Sequence, residues 1–273
     1  MRLTTNIFVE TEYRGANVSY ITTEQGIVLI DTPQKPTEAL DWQKKIAAEE
    51  GEIKYLINTE SHPDHFAGNS FFDAPVIAHQ KTRKALLETD VNQLIESTKG
   101  IDPEGSHLLS GYEINTPVIT FSEKLSLYLG SHTFHMEHLP GHTAGQIGVH
   151  IPEERVLFTG DNVMYRLQTF LYSANPYDWL QSLDRIGEFD VDYIVCGHGK
   201  VCNREYLPEW ASFIREWVDT VQQAINQGWT KEEAVNRISL LDRYPTTSYN
   251  KQRGPEIQRI NTAYLYDFLS SPE

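Results

Sequence analysis

The sequence predicts a mixed α/β protein of the α+β kind, and the change of pattern along the chain carries this prediction. Short apolar segments typical of strands recur up to about residue 196, whereas from residue 208 onward the apolar residues follow helical spacing. The chain has 273 residues, of which 40% are hydrophobic and 22% are charged, so it can bury a large core. We expect one domain with a helical appendage.

The first half of the chain is predicted to be rich in strands with a helical cover. Residues 18–22 and 27–30 flank Glu24-Gln25-Gly26 like the two arms of a β-hairpin. Further strands are predicted over residues 54–57 and 76–78, and a helix over residues 81–94.

Residues 97–116 contain several interruptions of regular structure, which are Gly100, Asp102-Pro103, Gly105 and Gly111. We expect a mobile segment here, directly before the second group of strands. It is the predicted substrate lid.

The second half continues with strands that lead to single polar residues. Strands are predicted over residues 124–129, 132–138, 149–151, 156–158 and 193–196, and a helix over residues 176–186. Glu153-Glu154 would form the tight turn of a hairpin whose second strand leads to Asp161.

Three helices are predicted at the C-terminal end, over residues 208–226, 231–240 and 256–269, with Thr230 as the N-cap of the second. Two apolar stripes follow helical spacing, one formed by Trp210, Phe213, Trp217 and Val221, the other by Ile257, Ile260, Tyr264 and Phe268. We expect packing faces. A dimer face or a substrate wall is the alternative.

Residues 59–65, with the sequence TESHPDH, concentrate two imidazoles and two carboxylates directly after an apolar run. These side chains hold Zn, Mn or Fe while leaving coordination positions for water. Pro63 restricts the residue before it to extended conformations, which favours a loop. The pattern therefore predicts a metal site, with an ordinary surface loop as the alternative.

Three more candidate ligands lie downstream, which are His142, Asp161 and His198. Each follows an apolar run and lies next to a glycine. Glycine lets the backbone turn where a strand ends, so that the next side chain projects from the sheet edge. We therefore expect all these strand ends to line one rim.

In this order of motifs the chain resembles the metallo-β-lactamase superfamily, whose signature is HxHxDH, then a lone His, a bridging Asp and a final His. The resemblance covers residues 5–200 or so. It implies a four-layer αβ/βα sandwich with a dinuclear metal site at one edge. Residues 1–204 would form this catalytic domain, and residues 205–273 would be a helical extension packed on the same domain.

The resemblance also implies a ligand set. The first metal would be bound by Glu60, His62 and His142, and the second by Asp64, His65 and His198. Asp161 would bridge the two metals. The expected cofactors are two divalent metal ions, with Zn²⁺ as the first choice and Mn²⁺ or Fe²⁺ as alternatives.

Glu60 departs from the signature, because the motif reads ExHxDH where the superfamily has HxHxDH. A carboxylate oxygen in place of an imidazole nitrogen makes the first metal a weaker Lewis acid. We expect this to raise the pKa of a metal-bound water and to favour harder ions such as Mn²⁺ or Fe²⁺. In the alternative, Glu60 points away and only the second site binds a metal.

The expected chemistry is hydrolysis, in which a metal-bound hydroxide attacks the carbonyl carbon of an ester, lactone, thioester or amide. Asp64 is the candidate for taking or shuttling the proton. Tyr165 follows Asp161 closely, where lactonases of the superfamily have an active-site tyrosine, and it is the candidate oxyanion donor. The competing interpretation of Tyr165 is aromatic packing. In either case Phe170, Tyr172 and Tyr177 favour an apolar substrate pocket.

Substrate identity stays open at this point, and promiscuous hydrolysis with weak β-lactamase activity is included. One alternative is a mononuclear iron oxygenase that acts on a sulfur substrate. Another is a non-catalytic metal-binding protein of the same fold.

The composition and net charge limit the classes of partner that we expect for this protein. A net charge of −15 without a run of Lys or Arg argues against nucleic acid, and no run of eighteen apolar residues predicts a membrane span. The first residues lack the apolar core of a signal peptide, and Cys196 and Cys202 cannot form a disulfide framework, so the cytoplasm is expected. We expect a small-molecule substrate and allow for a homodimer.

The remaining histidines are expected to be structural, with His138 the candidate for supporting a ligand. Cys196 is expected to be a small buried apolar residue.

Overall fold

The computed structural model describes residues 1–244 and 253–271. Its strands form two sheets. The first sheet has the order β1-β2-β3-β4-β5-β6. Its strands are β1 (Ile7–Glu10), β2 (Val18–Thr23), β3 (Gly26–Ile30), β4 (Ile53–Ile57), β5 (Val76–His79) and β6 (Ile119–Phe121). The first three pair antiparallel, and β3 to β6 pair parallel.

The second sheet has the order β11-β10-β9-β8-β7. Its strands are β7 (Lys124–Leu129), β8 (His132–His138), β9 (Ile147–Ile151), β10 (Val156–Met164) and β11 (Tyr193–His198). Only β10 and β11 pair parallel, so both strands end at the same edge of the sheet.

Eight helices lie in the described part of the chain. They are α1 (Pro36–Ile46), α2 (Pro63–Phe66), α3 (Gln80–Glu88), α4 (Val91–Ile101), α5 (Pro176–Gly187), α6 (Leu207–Asn226), α7 (Lys231–Arg237) and α8 (Gly254–Ser270). None of the described helices is both long and apolar enough to span a bilayer.

Apolar residues form three large clusters, one between the two sheets and one on the outer face of each sheet. The inner faces of the two sheets meet in one cluster, in which Ile30 and Ile57 of the first sheet join Val149 and Phe158 of the second. On the outer face of the first sheet, Trp42 of α1 is fully buried. The outer face of the second sheet is covered by α5 and the C-terminal helices. The arrangement is the four-layer αβ/βα sandwich that the family resemblance implies.

Most predicted elements are confirmed within a residue or two. The hairpin of residues 18–30 forms with Thr23 opposite Gly26, and the strands over residues 124–129 and 132–138 have the predicted bounds. The hairpin between β9 and β10 also forms, but β10 continues through Asp161 to Met164. Its length is explained by the parallel pairing with β11, which sequence patterning does not reveal.

The single helix predicted over residues 81–94 is wrong. Two helices, α3 and α4, replace it, because the Asp90 side chain accepts hydrogen bonds from the backbone N–H groups of Asn92 and Gln93 and so begins a new helix. The predicted break at Gly100 is also wrong, since α4 continues to Ile101.

Hydrogen bonds join the predicted lid segment, residues 97–116, to neighbouring parts of the chain. The buried Asp102 carboxylate accepts hydrogen bonds from the backbone N–H and hydroxyl of Thr37, and Tyr112 donates to the carbonyl of Ala67. Movement of this segment stays a prediction.

Of the two apolar stripes predicted in the C-terminal helices, the first is confirmed as a packing face, and the second does not coincide with the buried face of its helix. Trp210, Phe213, Trp217 and Val221 are all fully buried, as a packing face requires. In α8, Ile257 is buried but Ile260, Tyr264 and Phe268 are only partly buried, because Asn261 and Leu265 occupy the covered face.

The end of helix α7 differs from the prediction, and the predicted domain boundary after residue 204 lies inside an apolar cluster. Helix α7 ends at Arg237, three residues before the predicted end, because Ile238 has an extended backbone; Thr230 forms the predicted capping box. Residues on both sides of position 204 share one apolar cluster. The domain division at this position stays a prediction, and its second part includes residues 245–252 and 272–273, outside the described residues.

Candidate metal centre

The loop after β4 delivers the first group of candidate ligands. His62 has an extended backbone and acts as the N-cap of the short helix α2, and Pro63 occupies the first helical position. Asp64 and His65 follow within this helix. Because α2 is a single turn, successive side chains point in different directions, and Glu60 reaches the centre from the preceding loop.

The other ligand candidates come from the second sheet. His142 lies between β8 and β9, Asp161 lies within β10, and His198 is the last residue of β11. Two glycines make the approach of these strands feasible. Gly160 has a φ of +48°, and a Cβ atom on Gly197 would lie only 1.9 Å from Asp161 Oδ1. Glycine thus shapes these strand ends, as the sequence predicts.

The seven predicted ligands meet at one edge of the sandwich. They form two groups in which one ligand atom per residue lies within 4.8 Å of the others; the first group is Glu60, His62, His142 and Asp161, and the second is Asp64, His65 and His198. These are the residues of the two ligand sets that the resemblance implies, except that Asp161, the expected bridging residue, falls in the first group.

Short distances between ligand atoms define the first group. His62 Nδ1 lies 2.9 Å from Glu60 Oε2 and 3.1 Å from His142 Nε2. His142 Nε2 in turn lies 3.8 Å from Glu60 Oε1 and 3.4 Å from Asp161 Oδ2. The Glu60 carboxylate therefore points into the centre and not away from it.

Asp161 lies between the two groups. Its Oδ2 is 3.3 Å from His198 Nε2 as well as 3.4 Å from His142 Nε2, and its Oδ1 is 3.2 Å from His65 Nε2. Asp64 Oδ2 also lies 3.3 Å from His198 Nε2. One carboxylate thus contacts imidazoles of both groups, which is the geometry that a bridging ligand needs.

Several buried polar atoms at the centre have no hydrogen-bond partner among the described residues. They include Glu60 Oε1, His65 Nε2 and Asp161 Oδ1, and they converge on the same space. Burying unpaired polar atoms is costly unless an ion satisfies them. Carboxylate oxygens and imidazole nitrogens suit a divalent cation, so the residues present fit the expected metals.

Each ionisable group in this cluster changes the pKa values of its neighbours. Burial opposes ionisation of Glu60, but the neighbouring imidazoles of His62 and His65 outweigh it and lower the pKa of this carboxyl group. Burial likewise opposes protonation of His65, but Asp161 and Glu60 raise the pKa of this imidazole. Burial lowers the pKa of His142 to about 4. The carboxylates are thus held as anions, the form in which they bind metal.

Two further side chains, neither of which was predicted from the sequence, orient the candidate ligands. Buried Asp31 accepts a hydrogen bond from His65 Nδ1 at 2.8 Å, which turns His65 Nε2 toward the centre. Ser173 uses its proton to donate to the His142 carbonyl, so its oxygen accepts from His62 Nε2 at 3.2 Å and leaves Nδ1 for a metal. The available signal for Asp31 was an acid directly after the apolar strand β3.

A cavity of about 290 Å³ opens over the centre. Its lining includes ligand candidates, apolar side chains and polar side chains, among them His62, Asp64, Ile101, Met164, Leu167, Gln168, Phe170, Tyr172 and Arg253. The Tyr172 ring centroid lies 5.7 Å from that of His62. Phe170 and Tyr172 line the cavity as expected, but the lining as a whole is mixed polar and apolar. Tyr177 is not among the lining residues and lies beside Phe268.

Tyr165 is not among the residues that line this cavity. Its ring packs against Tyr206, at a centroid distance of 4.9 Å, and it lines a separate surface depression. The competing interpretation, aromatic packing, describes this residue better than a role as oxyanion donor.

The other histidines have local partners. His138 Nε2 donates to the carbonyl of Ala144, near His142, and its ring stacks on His79 at a centroid distance of 3.9 Å. Cys196 is buried, as expected, and its Sγ lies 3.5 Å from that of Cys202.

Comparison with known proteins agrees with this geometry. The family model of the metallo-beta-lactamase superfamily matches residues 12–198. A linear primary-alkylsulfatase of Pseudomonas sp. (strain ATCC 19151) is 22% identical over 260 residues, covering 79% of this chain and 48% of the relative. A metallo-beta-lactamase type 2 of Elizabethkingia meningoseptica is 28% identical over 203 residues, covering 71% of this chain and 73% of the relative.

A solved structure extends the likeness to the C-terminal helices. The stereoselective inverting sec-alkylsulfatase of Pseudomonas sp. has a TM-score of 0.72 and 17% identity, covering 99% of this chain and 50% of that protein. This likeness concerns the fold. The chain spans about half the length of both alkylsulfatases.

Proposed function

The chain belongs to the metallo-beta-lactamase superfamily, and from this membership we propose that it is a metal-dependent hydrolase of small molecules. The observation that carries the proposal is the convergence of seven ligand side chains, with unpartnered buried atoms among them, at the base of a cavity. Such a combination of donor groups and accessible space is what metal-assisted hydrolysis requires.

Glu60, His62 and His142 would hold one divalent cation, and Asp64, His65 and His198 the other, with Asp161 bridging. When bound, these cations would supply an activated water and polarise the bond to be cleaved. Zn²⁺ is the first choice. Mn²⁺ and Fe²⁺ are the alternatives because Glu60 adds a third carboxylate oxygen donor, which harder ions prefer.

Asp64 is the candidate for moving a proton. Its side chain is 23% exposed, compared with 0% for Glu60 and 4% for Asp161, and it lines the cavity. A carboxylate that faces the cavity can accept a proton from a water there and pass it to a leaving group. Asp64 would then combine the roles of ligand and proton carrier.

Tyr172 replaces Tyr165 as the phenol that we expect to meet substrate. It lines the cavity close to His62, and burial together with the nearby carboxylates raises the pKa of its hydroxyl group. The hydroxyl therefore keeps its proton at neutral pH and can donate a hydrogen bond to a substrate oxygen.

The substrate class is narrowed by the lining of the cavity. Met164, Leu167 and Phe170 favour an apolar group beside the bond that is cleaved. Esters, lactones, thioesters and amides, including weakly hydrolysed β-lactams, are the candidates from the sequence. Sulfate esters join them because both alkylsulfatases resemble this chain over most of its length.

The test combines metal analysis of protein purified without chelator with assays against these substrate classes. About two metals per chain together with turnover of one class would support the proposal. One iron per chain with oxygen consumption and no hydrolysis would favour the oxygenase alternative. Bound metal without turnover of any class would favour a non-catalytic metal-binding protein.

A further inference from the structure

We propose that Arg253, the N-cap residue directly before the C-terminal helix α8, selects substrates that carry an anionic group on an apolar chain. The inference rests on the proposed function in taking the cavity over the metal centre as the substrate site. Residue 253 lies beyond residues 12–198, the part of the chain that the family model matches. The selectivity would therefore come from the C-terminal segment, outside the part of the chain that the family model matches.

A series of aromatic contacts links Arg253 to the metal centre. The Arg253 guanidinium carbon lies 5.6 Å from the ring centroid of Phe170. The ring of Phe170 is 5.6 Å from that of Tyr172, which is 5.7 Å from that of His62. A substrate whose reacting bond lies near His62 would thus extend along two aromatic rings toward a guanidinium.

The charge distribution of the lining agrees with an anionic ligand. Among the described residues that line the cavity, the only acids are Asp64 and Asp161, both of which are candidate metal ligands. Arg14 and Arg253 also line it, in a protein whose net charge is −15. Two arginines beside a metal centre concentrate positive potential where the rest of the surface is acidic.

The two arginines are associated with different parts of the centre. Gly15, the neighbour of Arg14, packs against Asp64, a ligand candidate of the second group. Arg253 is linked through Tyr172 to His62, in the first group. The guanidinium of Arg253 lies over the Phe170 ring of the cavity lining, which suits it to an anion that follows an apolar chain.

Arg253 already has one partner, which defines a control. Its Nε and Nη2 donate to the Glu256 carboxylate at 3.0 and 3.4 Å, on side chains that are about half exposed. A guanidinium has five N–H donors, so donors remain for a ligand. An exposed ion pair of this kind is weak and exchanges readily. Glu256 would therefore compete with an anionic substrate, and its removal should strengthen binding.

The test is a calorimetric titration of the metal-loaded protein with hexanoate and, in parallel, with the neutral hexan-1-ol. We expect Arg253→Gln to weaken hexanoate binding about tenfold relative to the parent protein, because a charge-assisted hydrogen bond is lost. Binding of hexan-1-ol should not change. The matched control is Arg259→Gln, which removes the same charge from an exposed position of α8 outside the cavity lining and should leave both ligands unaffected.

Two more variants sharpen the result. Glu256→Gln should strengthen hexanoate binding severalfold, and Arg253→Lys should retain part of the affinity. Equal hexanoate affinity in Arg253→Gln and Arg259→Gln, at equal metal content, would overturn the inference. Because the readout is binding, a protein that hydrolyses nothing in the assays can still show this selectivity, and an active hydrolase without it would refute the inference alone.

Discussion

Glu60 is the residue at which the candidate metal centre departs from the HxHxDH signature. It is fully buried, and its two oxygens lie close to imidazoles of both ligand groups. An anionic oxygen at this position adds a negative charge to the candidate ligand set. We therefore expect substitutions of Glu60 to change the metal content of the protein, which can be measured without an activity assay.

We expect Glu60→Ala to lower the metal content from about two ions per chain to about one, because the first site loses an anionic ligand. Glu60→His should restore about two ions and shift the preference toward Zn²⁺ over Mn²⁺. Elemental analysis after dialysis against equal concentrations of both metals measures this. An unchanged metal count in the alanine variant would show that Glu60 is not a ligand.

Asp31 and Ser173 should act through the ligands that they orient. The two oxygens of Asp31 accept from the backbone N–H and hydroxyl of Thr59 and from His65 Nδ1, so Asp31→Asn leaves a single acceptor oxygen for these donors and weakens the hold on His65. Ser173→Ala removes the acceptor of His62 Nε2–H.

We expect each of these changes to weaken metal binding by about 10-fold to 100-fold while the far-ultraviolet circular dichroism stays the same. Competition with a chelator of known affinity measures the loss. Ser61→Ala, in the same loop as His62, is the control. If the Ser173 variant retains the affinity of this control, the orienting role of Ser173 is refuted.

Among the helices, α3 begins in an unusual way that makes its stability depend on pH. His79 is its N-cap: Nδ1 accepts from the Lys81 backbone N–H, and Nε2 donates to the carbonyl of Ser122. This arrangement requires a neutral ring, and burial lowers the pKa of His79 to about 4. Protonation would therefore remove the cap.

The resulting pH dependence has a definite sign. In the unfolded chain His79 takes up a proton below a pKa of about 6.5, whereas the folded protein does so only near pH 4, so stability is lost as the pH falls between these values. We expect this residue to account for up to about 3 kcal/mol of the loss. Denaturant unfolding at a series of pH values measures it.

The comparison variant is His79→Asn, which keeps a capping side chain without an ionisable group. It should be less stable at neutral pH, since the ring contact with His138 is lost, but its stability should fall less between pH 6.5 and 4. Parallel curves for the two proteins would contradict the prediction.

For the molecule as a whole, helix α5 and the C-terminal helix α6 both contact the strand that carries the central aspartate. The indole N–H groups of Trp179 in α5 and Trp210 in α6 both donate to the carbonyl of Asn162, the residue after Asp161. Trp210, Phe213 and Trp217 are fully buried in the cluster that covers the second sheet. The extension therefore stabilises the strand that carries the central aspartate.

We expect a chain truncated after residue 204 to lose cooperative thermal unfolding and metal binding, because removal of α6 exposes the apolar outer face of the second sheet. Differential scanning calorimetry and metal analysis measure both effects. Trp217→Phe in the full chain is the control, because it keeps an aromatic side chain in α6. A truncated chain that unfolds cooperatively and still binds metal would show that residues 1–204 are an independent domain.

The sequence by itself determined the elements and the ligand candidates whose information is local. Strand alternation predicted β7 and β8, and the order of Glu60, His62, Asp64 and His65 followed by three separated ligands predicted a metal site. Periodicity and donor chemistry depend on neighbours along the chain, so they can be read without a fold. The metals themselves, the reaction and the role of Glu60 remain predictions.

Only the tertiary structure decided which distant residues meet. It placed Asp31 and Ser173 against the ligand histidines, separated Tyr165 from the cavity, and brought Arg253 to its rim. The parallel pairing of β10 with β11 also explains why Asp161 lies within a strand. These contacts join segments far apart in sequence, and their geometry follows from the packing of two sheets and the covering helices, which no local pattern records.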